Sequence, residues 1–210
     1  MVRGIVAQLG LPEDEITPDD IREAHRTAFF DGYEGELWVF GYGSLIWDPA
    51  IAFDQVRRAR VDGYARSMCL YDDGGGRGSP GNPGLMAALA PGPHCDGMAF
   101  RIPAELVEAE TGYLWAREMI ADGYLPTFQE VWTPQGQISA LMFVADFANE
   151  NMRPDLPRED QVRFIAHGAG GLGSSFEYVD GLITHFDLLG IDDPHLRGLW
   201  EDAAVLRGTA

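Results

Sequence analysis

The sequence predicts an α+β fold: a small mixed β-barrel or strongly curved sheet with helices packed on it. Three observations predict it. Short β-type runs separated by glycine- and proline-rich turns dominate from Glu36 to about Thr133, amphipathic helical periodicity takes over after Leu156, and the runs do not alternate with helices as a doubly wound parallel sheet requires. With 210 residues, 46% hydrophobic and 23% charged, the chain is long enough for one domain with its own core and is not disordered.

Residues 1–35 read as an N-terminal extension, partly helical, ahead of a domain over residues 36–205. In the extension, Thr17-Pro18-Asp19-Asp20 supplies an N-cap, a first-turn proline and two acids for a helix running toward Phe30, which Gly32 ends. Strands are expected at Leu37–Tyr42, Ala59–Tyr71, Leu85–Leu89 and Cys95–Ile102, then at Thr127–Trp132 and Ile138–Val144. One helix interrupts them, opening after Pro103 and closing at Gly123. Its apolar residues fall on nearly every side, so it is expected to be mostly buried. Glu118 lies on its stripe of Val107, Thr111, Leu114 and Trp115. Leu156–His167, Tyr178–Leu189 and a short Pro194–Ala204 follow as amphipathic helices, and the glycine-rich stretch Asp72–Pro83 reads as a loop.

Charge and composition exclude several function classes. The net charge is −18, so a polyanion is repelled over most of the surface, and neither nucleic acid nor an anionic membrane is an expected partner. The chain contains no lysine, all 15 of its basic residues being arginine, which removes Schiff-base enzymes and lysine-bearing phosphate loops. The apolar patch in Met1–Gly10 is broken by Gln8 and followed by Glu13, Asp14 and Glu15, unlike a signal peptide, and no stretch approaches the roughly 20 apolar residues of a membrane span. A cytoplasmic protein with two buried thiols, Cys69 and Cys95, is expected. The five histidines stand apart with no zinc-type spacing, and no G-x-S-x-G elbow occurs, so neither a metal nor a catalytic triad is expected.

Four features remain as candidates. The apolar strand that opens at Leu37 runs straight into Tyr42-Gly43-Ser44-Leu45, where a glycine lets consecutive N–H groups face an anion or carbonyl oxygen; glycine spacing alone favours an ordinary hairpin turn. Gly168-Ala-Gly-Gly-Leu-Gly173 satisfies G-x-G-x-x-G but follows a helix rather than a strand, so it reads as a helix end and glycine loop, not as a dinucleotide site. Glu118 is either a structural partner of an arginine such as Arg117 or a base whose pKa is raised by apolar neighbours, and composition favours the former. Arg77 is a solvated charge unless a substrate carboxylate lies near it.

Phe40-Gly-Tyr-Gly-Ser-Leu-Ile-Trp47 resembles the signature loop of the ChaC-like glutathione-specific γ-glutamylcyclotransferases, and four further blocks agree in order. Arg77-Gly-Ser-Pro80 with Asn82-Pro-Gly-Leu85 resembles the family's Arg-Gly-Thr-Pro segment, and Leu114-Trp-Ala-Arg-Glu-Met119 with Gly123-Tyr124 resembles its catalytic helix. Ala140–Ala145, then Gly170–Tyr178 with Leu189–Asp193, resemble its later blocks. The resemblance, over about residues 36–200, implies a γ-glutamylcyclotransferase-like barrel and a cofactor-independent enzyme that releases 5-oxoproline and cysteinylglycine from glutathione. It implies Glu118 as acid/base, Tyr42, Gly43, Ser44 and Leu45 as the γ-glutamyl cradle, and Arg77 and Tyr178 as further substrate contacts. Serine at Ser79, the Asp72–Gly76 run and the long extension depart from the pattern. Two other readings are a cyclotransferase for another γ-glutamyl amino acid or amine, and an inactive γ-glutamyl-binding domain.

Overall fold

The structure is a computed structural model describing residues 16–208; the Met1–Gly10 patch and the first part of the extension lie outside them. In chain order the elements are α1 (Asp19–Phe29), β1 (Leu37–Gly41), β2 (Gln55–Asp72), β3 (Gly84–Ile102), α2 (Val107–Glu118), β4 (Tyr124–Thr133) and β5 (Gly136–Ala145). α3 (Arg158–His167), the two-residue strands β6 (Ala169–Gly170) and β7 (Gly173–Ser174), α4 (Ser175–Leu189) and α5 (Pro194–Arg207) complete it. Strands β1 to β5 form a closed barrel in the order β1-β3-β2-β4-β5, so the expected α+β barrel is present.

The described residues form two compact units, one of residues 16–65 and 89–145, the other of residues 66–88 and 146–208. In the first unit β1 runs antiparallel to β3, from Leu37 opposite Ile102 to Gly41 opposite Met98, and is joined in parallel to β5 at Val39 and Leu141. β4 and β5 are a hairpin in register from Tyr124 opposite Ala145 to Thr133 opposite Gly136. Leu37, Val39, Phe40, Val131, Leu141 and Trp115 fill the core of this unit, each apolar side chain removed from water contributing about 1.5–3 kcal/mol. α1 belongs to it as well. Its Arg26 pairs with Glu108 on α2 at 2.6 Å, and Phe29 and Tyr33 both stack on Phe128, at 5.5 and 5.6 Å between ring centres.

The second unit packs α3, α4 and α5 around Ile165, Val179, Leu182, Phe186 and Leu199. Ser174 caps α4, its side chain accepting from the Glu177 N–H while the Glu177 carboxylate accepts in return from the Ser174 N–H. Asp193 caps α5 and pairs with the buried Arg66.

Several sequence expectations need correction. Leu85–Leu89 and Cys95–Ile102 are one 19-residue strand, β3, which runs through Pro91 and Pro93. Gly92 permits this: a Cβ there would stand 2.4 Å from the Ala65 Cβ, so the two chains approach too closely for any other residue. β2, at 18 residues, is also longer than the short runs suggested. The helix after Pro103 ends at Glu118 rather than Gly123, because Met119 leaves helical geometry and a bend follows it. In α1 the N-cap is Pro18, not Thr17, and no side chain caps it. The last helix extends past Ala204 to Arg207, and Gly208 stops it in the left-handed conformation at φ 72°.

Candidate active site

In the first unit the catalytic candidates meet at the end of α2. Leu114 and Trp115 anchor the helix in the core, each 1% exposed, and the Trp115 indole N–H donates to His25 Nδ1 at 3.0 Å. Glu118 is the last helical residue, its side chain 18% exposed. Burial pushes its carboxyl above the usual carboxylate range, and the neighbouring Arg117 cation opposes part of that shift. The C-terminal end of a helix, where the carbonyl dipoles converge, also disfavours an anion.

Residues 42–46 form the facing loop. The Tyr42 hydroxyl donates to the Phe143 carbonyl at 2.8 Å, which ties the start of the loop to β5. Ser44–Ile46 is a single 3₁₀ turn with Gly43 as its N-cap, and the Ile46 N–H returns to the Gly43 carbonyl. The first N–H groups of such a turn have no acceptor within it, so those at Ser44 and Leu45 are available to a bound oxygen. Leu45 is buried, packing so tightly that a Cβ on Gly41 would stand 3.0 Å from its own Cβ and from Phe100.

Arg117 joins loop and helix end. One terminal nitrogen donates to Ser44 Oγ at 2.7 Å, the other to the Asp48 carbonyl, and Nε lies 3.1 Å from Glu118 Oε1. Sequence analysis treated this arginine only as a structural partner for Glu118. The adjacency was legible, but its reach across to the loop requires the tertiary arrangement. A second carboxylate, Glu110, was also overlooked; it is buried and accepts from the Ala52 N–H at 2.9 Å, holding the chain beyond the loop against α2.

Arg77 and Tyr178 come together in the second unit. The Asp72 carboxylate folds the glycine loop around itself, accepting from the N–H groups of Gly74, Arg77 and Gly78. The hairpin at 169–174 closes on that loop, with Gly171 and Leu172 donating to the carbonyls of Gly75 and Gly76 at 2.6 and 2.8 Å. The G-x-G-x-x-G pattern therefore serves close backbone packing: a Cβ on Gly170 would stand 2.4 Å from the Gly75 carbonyl oxygen. The Arg77 guanidinium carbon lies 5.5 Å from the centre of the Tyr178 ring, and its Nε is buried with no hydrogen-bond partner among the described residues. Burial lowers its pKa, partly offset by the Tyr178, Glu177 and Asp72 groups. A buried guanidinium nitrogen without a partner is suited to an incoming carboxylate. The Tyr178 hydroxyl accepts from the Ala87 N–H at 3.3 Å.

A family model for ChaC-like proteins matches residues 37–205. The chain belongs to the ChaC-like family. It is 36% identical over 167 residues to the glutathione-specific gamma-glutamylcyclotransferase of Escherichia coli (strain K12), a match covering 79% of this chain and 72% of that protein. It is 32% identical over 176 residues to the human glutathione-specific gamma-glutamylcyclotransferase 1, covering 80% and 79% of the two chains. The crystal structure of the yeast gamma-glutamyl cyclotransferase specific to glutathione superposes with a TM-score of 0.76 over 84% of this chain and 99% of that one, at 23% identity, which shows a shared fold. Within the ChaC-like match lie the 42–46 loop, the loop carrying Arg77, the helix ending at Glu118, and α4 with Tyr178.

Proposed function

We propose that this chain is a γ-glutamylcyclotransferase that degrades glutathione to 5-oxoproline and cysteinylglycine, with its catalytic domain in residues 36–205 and Glu118 as acid/base. The observation that carries the reading is the Glu118 carboxyl, desolvated to a raised pKa and held beside the Tyr42–Leu45 loop. The relatives named for this reaction supply the substrate. The α-amino group of glutathione is mostly protonated at neutral pH and attacks only as the free amine. Glu118 takes that proton. The amine nitrogen then bonds to the γ-carbonyl carbon, closing the five-membered lactam, and the bond from that carbon to the cysteinyl nitrogen breaks. The proton held on Glu118 passes to the departing nitrogen, and the second proton shed by the ring nitrogen follows it through the regenerated Glu118 carboxylate, so cysteinylglycine leaves as its ammonium form and the step balances with glutathione as sole reactant. Holding the substrate curled supplies orientation, worth up to about 7–11 kcal/mol in well-aligned intramolecular reactions. The N–H groups of Ser44 and Leu45 stabilise the oxygen on which negative charge builds. Arg77 takes a substrate carboxylate, and Tyr178 is the contact beside it.

The partner is thus a small molecule rather than nucleic acid, as the net charge of −18 supports, and the place of action is the cytoplasm. Among the described residues no helix is long and apolar enough to cross a membrane. The test is to incubate the protein with glutathione and follow both products by mass spectrometry. Wild type is expected to release them in equal amounts, and Glu118→Gln to remain folded while losing turnover by about two to four orders of magnitude. Absence of product from folded wild type would reject the glutathione assignment; undiminished turnover in Glu118→Gln would remove Glu118 from the mechanism.

A further inference from the structure

We infer that Arg117 is a positioning residue which, through one guanidinium, holds the Ser44 turn and the Asp48 carbonyl in register with the Glu118 carboxylate. As a catalytic assignment the inference rests on the proposed role of Glu118; its geometry stands apart from it. Three nitrogens face three groups: Ser44 Oγ at 2.7 Å, the Asp48 carbonyl, and Glu118 Oε1 at 3.1 Å. Consecutive residues on a helix point about 100° apart, so side chains at positions 117 and 118 meet only when one is drawn across by something else. The loop draws Arg117 across. The planar fork suits this task, since its donors are fixed relative to one another, whereas a lysine ammonium would offer only a point charge.

The same contact biases protonation. Arg117 is the cation that opposes the burial of Glu118, favouring the ionised form a base requires. The charged group beside Arg117 is Asp48, whose carboxylate lies 3.9 Å away, while on α1, packed along the same helix, Arg26 pairs with Glu108 at the opposite end of α2. His25, also on α1, accepts from Trp115, and from the loop side the neighbours are the neutral Ser44 and Tyr42, the latter donating to Phe143. Removing Arg117 thus has two separable effects: the carboxyl holds its proton to higher pH, and the loop loses its tie to the helix end.

The experiment compares wild type, Arg117→Met, Arg117→Lys, Ser44→Ala and the Ser44→Ala/Arg117→Met double variant. It combines a carbon-13 NMR titration of the Glu118 carboxyl, assigned by its absence in Glu118→Gln, with kcat and KM for glutathione. Arg117→Met is expected to titrate Glu118 at higher pH than wild type and to lose about 10- to 100-fold in kcat, the scale of a misplaced reacting group. Arg117→Lys should bring the titration back toward wild type while recovering kcat only in part. Because Ser44 is held by the same guanidinium, the double variant should be little worse in kcat than Arg117→Met alone. An unmoved Glu118 titration in Arg117→Met, or losses that multiply in the double variant, would overturn the inference. If Arg117→Met does not fold, Arg117→Lys and Ser44→Ala decide it: wild-type kcat in both would reject the tie. The NMR titration reads Arg117 even should wild type release no 5-oxoproline, an outcome that would reject the proposed function separately.

Discussion

Glu118 shows how one carboxyl can be costly to the fold and useful to the chemistry. Its folded-state pKa is raised by burial, so between the ordinary glutamate range near about 4.3 and that raised value the folded protein holds a proton the unfolded chain has released. Stability therefore falls as pH rises through that window. Glu118→Gln is expected to resist urea better than wild type at about pH 8, with the difference closing toward about pH 4, where the wild-type carboxyl is neutral too. A constant difference across that range would show that the side chain is not desolvated as described. Arg77 is a comparable case, since its Nε is buried with no partner among the described residues. Arg77→Met is expected to raise KM for glutathione with a smaller change in kcat, as lost ground-state binding does. An unchanged KM would remove Arg77 from substrate binding. The sequence left the raised pKa of Glu118 as one of two readings: the apolar stripe around it could be counted on a helical wheel, but which face is desolvated depends on Trp115 and Leu114 reaching a core built from distant strands.

At the scale of elements, glycine spacing was visible in the sequence but its purpose was not. Gly168–Gly173 fits a nucleotide motif by pattern, and a helix precedes it, which argued against that use. What the glycines do is admit the carbonyls of Gly75, Gly76 and Gly78, which a Cβ on Gly170 would meet at 2.4 to 2.6 Å. Gly170→Ala is expected to cost about 1–3 kcal/mol in urea unfolding, as overpacking does, and to raise KM together with Arg77→Met, since the loop that presents Arg77 is the one displaced. Normal stability in that variant would mean the two loops can part without cost. β3 carries the same lesson. Pro91-Gly92-Pro93 has turn composition, and sequence reasoning broke the strand there, yet the barrel needs a sharply coiled strand where Gly92 passes Ala65. The Ser174–Glu177 capping box, by contrast, is local chemistry that a closer reading could have found, placing the start of α4 at Ser175 instead of Tyr178.

Over the whole molecule, 33 acidic residues against 15 basic ones leave a surface that repels itself. Added salt screens such repulsion, so the urea midpoint is expected to rise between about 0.01 M and about 0.15 M sodium chloride, as the Debye length shrinks from about 30 to about 8 Å. A midpoint that falls would show that ion pairs such as Arg101 with Asp54 and Glu36 outweigh the net charge. The sequence by itself determined the fold class, most element positions, the exclusion of lysine chemistry and the family blocks that lead to Glu118, because periodicity, composition and ordered motifs are properties of the chain. The tertiary structure alone decided that β3 is unbroken, that α1 packs on α2, and that Arg117 joins Ser44 to Glu118. Each of these depends on how closely two segments distant in sequence approach, and that distance is set by packing rather than by any local pattern of residues.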